Sequence, residues 1–411
     1  MVHALKLLAA AALFTHTAFA AKPPPPPPPA PHSGRLVLDY SYPGDPGSDY
    51  AENFGLTVTP SGTILASGIA GYAITRGIVL GSIDGGNSWS LADDFFPPGY
   101  PLWWWDVSGG IASDAAGNVY TAGLTYADDG IQPDYWYVRR SIDGGATWTT
   151  VDEFVPGPAP SASGDVTGIA TDAAGNVYVS GMATFSGSQT WTIRKGVGGT
   201  SFSTVDVVPN SYGAGIFAHP TAGLFAIGDT RVVTTIKGKT TTSRAWLVRR
   251  SLDGGATWSN VDTFQLSSSL SSWAKGIGAD ALGNLYVVGR GTTASTGNTY
   301  VNHWLVRKST NGGASWNTVD DFQQSGSITE GRRFAATSNG DLYVAGSATS
   351  STGYHWIVRK NSGGTGAWTT IDDYQNAPGS WWTIPSAMAA DASGNLFVGG
   401  TGGGHWLIKK Y

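Results

Sequence analysis

The run Thr329-Glu330-Gly331-Arg332-Arg333 sets one carboxylate beside two guanidinium groups, and Trp273-Ala274-Lys275 sets a cation near an indole. A carboxylate in such company can act as nucleophile, acid or base, while the cations hold an anionic group against it. Glu52 and Asp106 lie outside any repeated pattern and complete the catalytic candidates. Aromatic rings gather in similar segments: Trp103, Trp104 and Trp105 form one run, Trp381 and Trp382 another, with Tyr212 and Tyr300 elsewhere. Rings beside carboxylates suit sugars, whose C–H faces stack while their hydroxyls take hydrogen bonds. The same aromatics could instead cover the ends of structural units, and the Glu330–Arg pair could simply close a channel. A hydrolase would need a carboxylate pair across a cleft. A lyase would need a base and a cation on a uronate. His303, His355 and His405 recur at one repeat position. Equivalent positions on neighbouring units lie too far apart to share an ion, so they read as structural, and neither a metal nor a cofactor is called for.

These residues stand out because most of the chain repeats. One element reads IASDAAGNVYTAG at 111–123, IATDAAGNVYVSG at 169–181 and IGADALGNLYVVG at 277–289, with looser copies at 56–68, 217–228, 334–346 and 388–400. Each is a short strand, a Gly-containing turn and a second strand, A and B. A second element follows: WYVRRSIDGGATWTTVDEF at 136–154, WLVRRSLDGGATWSNVDTF at 246–264 and WLVRKSTNGGASWNTVDDF at 304–322, with weaker copies at 74–95, 191–208 and 356–374. It gives strands C and D around a tight turn. Four short antiparallel strands cannot bury both faces alone, but stacking such units around an axis does. The last copy stops after strand C at WLIKKY (406–411), and RLVLDY (35–40) matches the missing strand D. The expected fold is an all-β, seven-bladed propeller over 35–411, closed by the N-terminal strand.

Alternation then sorts the loops. A–B and C–D turns are short and share one face; B–C and D–A loops are long, varied and share the other, where function on a rigid scaffold usually sits. The off-repeat acidic residues, Asp45, Asp49, Glu52, Asp106, Asp128, Asp129, Asp134, Asp165, Asp229 and Glu330, lie in or beside that loop face.

Upstream, Lys6, the apolar run Leu7–Phe14 and Ala18-Phe19-Ala20 read as a cleavable secretory signal over 1–20. Seven prolines, Pro23 to Pro29, make 21–34 a stiff polyproline spacer. Cysteine is absent, so no disulfide braces the exported fold. Charged residues are 13% of the chain and net charge is −5, which favours neither nucleic acid nor membrane insertion. A secreted or periplasmic monomer is expected.

SIDGGNSW (82–89), SIDGGATW (141–148) and SLDGGATW (251–258) fit S-x-D-x-G-x-[ST]-W, and 309–316 fits with Asn311 in the Asp place. These segments resemble the Asp boxes (BNR repeats) of sialidase-like propellers. The resemblance implies structural turns: Asp84, Asp143 and Asp253 binding their own backbone, with Trp89, Trp148, Trp258 and Trp316 plugging gaps between blades. It does not extend to sialidase chemistry. No Arg-Ile-Pro motif occurs, and Glu52 and Glu330 are the only glutamates off the repeat. The sequence therefore points first to a secreted propeller that binds glycans or a cell-surface partner. Its ligand cleft is expected between blades 5, 6, 7 and 2, built from Trp103, Trp104, Trp105, Trp273, Lys275, Arg332, Arg333, Trp381 and Trp382. The alternative is a polysaccharide-degrading hydrolase or lyase.

Overall fold

The computed structural model describes residues 33–42, 51–71, 75–96, 104–127, 134–157, 164–185, 188–294, 300–324, 328–376 and 382–411. The signal segment and most of the proline spacer lie outside the described residues, as do Trp103 and Trp381; of Trp104, Trp105 and Asp106 only the backbone is described. The fold is a seven-bladed propeller, each blade a four-stranded antiparallel sheet. Blades 1 to 6 span 51–95, 104–154, 164–209, 211–264, 272–322 and 329–374. Blade 7 takes strands A to C from 383–410 and its outermost strand D from Arg35–Tyr40, which pairs antiparallel with His405–Lys410.

Burial follows from the stacking. Strands B and C are covered by blades on both sides, so Ile64–Ala70 and Leu396–Gly402 are buried at every position. Strand D is outermost, and every position of Thr149–Phe154 is exposed or half-buried. The deepest anchors are the strand C tryptophans Trp136, Trp191, Trp246, Trp304, Trp356 and Trp406, each at most 1% exposed and packed against the following blade. The turn tryptophans Trp89, Trp148 and Trp258 also reach the junction with the preceding blade, yet they are only partly buried; Trp316 is 8% exposed. Blade 1 has Gly77 in the tryptophan position, and Phe95, Tyr135 and Tyr137 fill that junction.

The repeated Arg and V-D-x-F residues form latches between blades. Arg139, Arg194, Arg307 and Arg359 reach back to Asp93, Asp152, Asp262 and Asp320 of the preceding strand D at 2.6–3.1 Å, while Arg249 binds Asp206 and Lys409 binds Asp372. Four of those guanidinium groups also stack on the motif's phenylalanine, at 4.0–4.2 Å. Register places Leu38 and Leu80 at the equivalent positions of the seventh, closing junction, and both join its apolar cluster. Tyr40 meets Trp406 edge-on there, at 5.8 Å. The ring thus closes on hydrophobic contact where the other six junctions use ion pairs.

Candidate functional site at the loop-face mouth

Strand A is innermost, and all seven A strands line a central cavity of about 160 Å³. Each carries a one-residue bulge, occupied by Lys275 in blade 5 and Arg332 in blade 6. The bulge brings strand A hard against strand B. A Cβ on Gly68, Gly181, Gly228, Gly289, Gly346 or Gly400 would collide with the carbonyl of the strand A residue facing the preceding register position. The strand A residues at this register form a rim near the loop face: Glu52, Val107, Asp165, Tyr212, Trp273, Glu330 and Ile384. Opposite them on strand B stand Ile69, Leu124, Met182, Asp229, Arg290, Ser347 and Thr401. Among the described side chains of the rim, charge and aromatic rings concentrate on blades 4, 5 and 6.

Glu330 is 3% exposed and is held by Arg332 at 2.5 Å and Arg290 at 3.6 Å. Burial alone would raise its pKa, but Arg332, Lys275, Arg290 and Arg333 outweigh that and keep it below the ordinary range, so it is ionised. Arg290 lies over the Trp273 ring at 4.1 Å, and its Nε is buried without an acceptor among the described residues. Lys275 is desolvated, and the neighbouring Arg332 and Arg290 add to that; its pKa is lowered despite Glu330 and Asp229. Arg333 lines the cavity and donates to the carbonyls of Lys275 and Arg332 at 3.2 and 3.0 Å; burial, then Arg332, bring its pKa down to about 10. On blade 4, Arg244 pairs with Asp229 and lies over Tyr212 at 4.2 Å, and burial raises the pKa of Asp229 against that pairing. Five cations, Arg244, Lys275, Arg290, Arg332 and Arg333, thus share one sector with two carboxylates.

Asp165, the rim residue of blade 3, is open to solvent yet crowded by protein around its carboxyl. Desolvation raises its pKa to about 6. Glu52 takes the same rim position in blade 1 and is half-buried and engaged by the protein. Asp106 is one position earlier, opposite Thr125, where other blades carry the buried small residues Ala51, Ser211, Ser272, Thr329 and Thr383. Trp382 is 62% exposed just before strand A of blade 7.

The cleft expected from the sequence lies between blades 5, 6, 7 and 2, whereas the charged sector spans blades 4, 5 and 6. Trp273, Lys275, Glu330, Arg332 and Arg333 do converge, and Arg333 turns inward into the channel rather than out at the mouth. The sequence reading missed Arg290 and Arg244. Their signal was available: Arg290 follows the strand B glycine where most blades place an uncharged residue, and Arg244 stands two residues before a strand C tryptophan, outside the repeated Arg pair. The repeated histidines pair locally, His303 with Asp321, His355 with Asp373 and His405 with Asp39, at 2.6–2.8 Å. Asp84, Asp143 and Asp253 accept hydrogen bonds from their own turns, among them Ser88, Thr147 and Thr257 at 2.6–2.9 Å, which hold each pKa down to about 2.

No protein-family model matches the chain, and no curated protein does. Solved structures share the fold. An α-L-arabinanase of Penicillium chrysogenum, in complex with arabinobiose, superposes with a TM-score of 0.52 at 15% identity over 93% of this chain and 98% of its own. A GH74 xyloglucanase of Xanthomonas campestris gives 0.56 at 14% identity, over 92% of this chain and 53% of its own. An ulvan lyase of polysaccharide lyase family PL25 gives 0.54 at 13% identity, over 88% and 94%. At these identities the likeness is one of fold, a propeller shared with polysaccharide hydrolases and lyases.

Proposed function

We propose that the protein is a secreted enzyme that cleaves an acidic polysaccharide at the loop-face mouth between blades 4, 5 and 6. The observation that carries this reading is the excess of five cations over two carboxylates around Trp273 and Tyr212. The neighbours' activities support a carbohydrate role, and the S-x-D-G-G turns support kinship with Asp-box propellers. The charge balance favours elimination over hydrolysis. Glu330 is kept ionised by two arginines and is a poor proton donor. Cations that neutralise a uronate carboxylate acidify the adjacent C5–H. In the proposed step a base takes that proton, the C4–O bond breaks, the departing oxygen takes a proton, and a C4=C5 double bond forms. Lys275, more readily deprotonated than an exposed lysine, is the base of this proposal. Arg290 and Arg332 orient the carboxylate, Trp273 and Tyr212 support the sugar rings, and water supplies the proton that the departing oxygen takes.

The test incubates the full chain with polygalacturonate, alginate, ulvan, arabinan and xyloglucan, reading ultraviolet absorbance of unsaturated products and reducing ends. Both signals should rise together on an acidic substrate, and Lys275→Met should lose them while still folding. Reducing ends without unsaturation would overturn elimination. Tight binding with no cleavage of any substrate would restore the reading as a glycan-binding module.

A further inference from the structure

We propose that the B–C hairpin of blade 4 is an arm that grips an acidic polysaccharide chain outside the mouth. The nature of the chain rests on the function proposed above. Strands B and C of this blade, Gly223–Ile236 and Lys239–Ser251, have 14 and 13 residues, while their counterparts in the other blades have 6 to 10. Pairing runs unbroken from Asp229 opposite Trp246 to Ile236 opposite Lys239. At about 3.3 Å per residue the hairpin rises roughly 20 Å above the rim.

Its charge has one sign. From Thr230 to Ala245 the residues include Arg231, Lys237, Lys239 and Arg244 and no carboxylate. Arg231, Lys237 and Lys239 are exposed. Arg231 stands directly opposite Arg244, an arrangement in which like charges repel. Asp229 pairs with Arg244, and one terminal nitrogen of Arg244 is still buried without an acceptor among the described residues. An anion beside the exposed Arg231 would relieve that repulsion. At the tip, Lys237 adopts φ 49° ahead of Gly238 at 78°, a left-handed pair that Asn-Gly would form with less strain. A cation is kept at the tip despite that conformation.

The arm continues the site. Arg231 shares a sheet face with Asp229 and Arg244, and Arg244 covers Tyr212 at the rim. Val233, 57% exposed, and Thr235 follow on the same face, offering apolar and hydroxyl contact to a sugar. Cations spread along roughly 20 Å suit an extended polymer bearing carboxylate or sulfate at intervals.

The experiment compares the intact protein with the triple variant Arg231→Ala, Lys237→Asn, Lys239→Ala, and with Arg290→Ala as the mouth variant. Binding of long polygalacturonate, a short galacturonate oligomer, neutral arabinan and duplex DNA is measured across ionic strength. The triple variant should lose about tenfold in affinity for the long chain, from three exposed ion pairs of modest strength. Its salt dependence should flatten, and the short oligomer should be affected far less. Unchanged long-chain binding would overturn the arm, as would an equal loss on the short oligomer. DNA binding tighter than polygalacturonate and abolished in the triple variant would overturn its occupant. If the mouth variant leaves cleavage and oligomer binding intact while the triple variant loses long-chain binding, the mouth assignment fails and the arm stands.

Discussion

The latch between blades 4 and 5 can be exchanged for the apolar contact that closes the ring. Arg307 donates to Asp262 twice at 3.1 Å and to the Trp316 carbonyl at 3.4 Å, and it lies over Phe264 at 4.0 Å. The two side chains are 9% and 13% exposed, so the pair is largely desolvated. Asp262→Leu leaves Arg307 buried with one carbonyl and one ring, and should cost about 3–5 kcal/mol, the usual penalty for orphaning a buried charge. Arg307→Leu should cost somewhat less, because burial already raises the pKa of Asp262 against Arg307 and the carboxyl can take up a proton. The double change to leucine recreates the arrangement of Leu38 and Leu80. It should fall within about 1 kcal/mol of the native protein or exceed it, since well-packed apolar pairs often match buried ion pairs. Urea unfolding of the four proteins at neutral pH measures this, with the denaturant slope checked for constancy. A double variant as unstable as the worse single variant would refute the reasoning, because it would show that the latch supplies net stability rather than pairing specificity.

Deleting 21–40 should lower the melting temperature far more than deleting 21–34, because only the longer cut removes the strand that covers His405–Lys410; equal melting would refute closure by that strand. Trp304→Ala should destabilise by about 3–5 kcal/mol as a fully buried aromatic, and Trp148→Ala by clearly less, compared by the same urea titration. Asp165→Asn tests the crowded carboxyl. Its folded pKa of about 6 lies above the ordinary value near 3.9, so its contribution is intact below about pH 4 and lost as pH rises through 6. The variant should match the native protein at pH 4 and melt higher at pH 7; a difference that does not change across that window would show the carboxyl is not desolvated.

The propeller, its blade count and its split last blade were legible in the chain because strand alternation, turn glycines and a repeated period are local properties. The fragments WLIKKY and RLVLDY even identified each other across the whole length. Glu330, Lys275, Arg332 and Trp273 were visible as breaks in the repeat. What each break faces was not visible. Arg290 belongs to the site because a bulged strand A in blade 6 brings Glu330 beside it, and Arg244 because blade 4 extends its hairpin over the rim. The strand C tryptophans, rather than those of the S-x-D-G-G turns, proved the deepest anchors, since only stacked blades reveal which ring is covered on both sides. The sequence assigned each residue to a strand and an end of the blade. Partners some 40 residues apart, and the charge balance they create at the mouth, exist only once neighbouring sheets are stacked and the ring is closed.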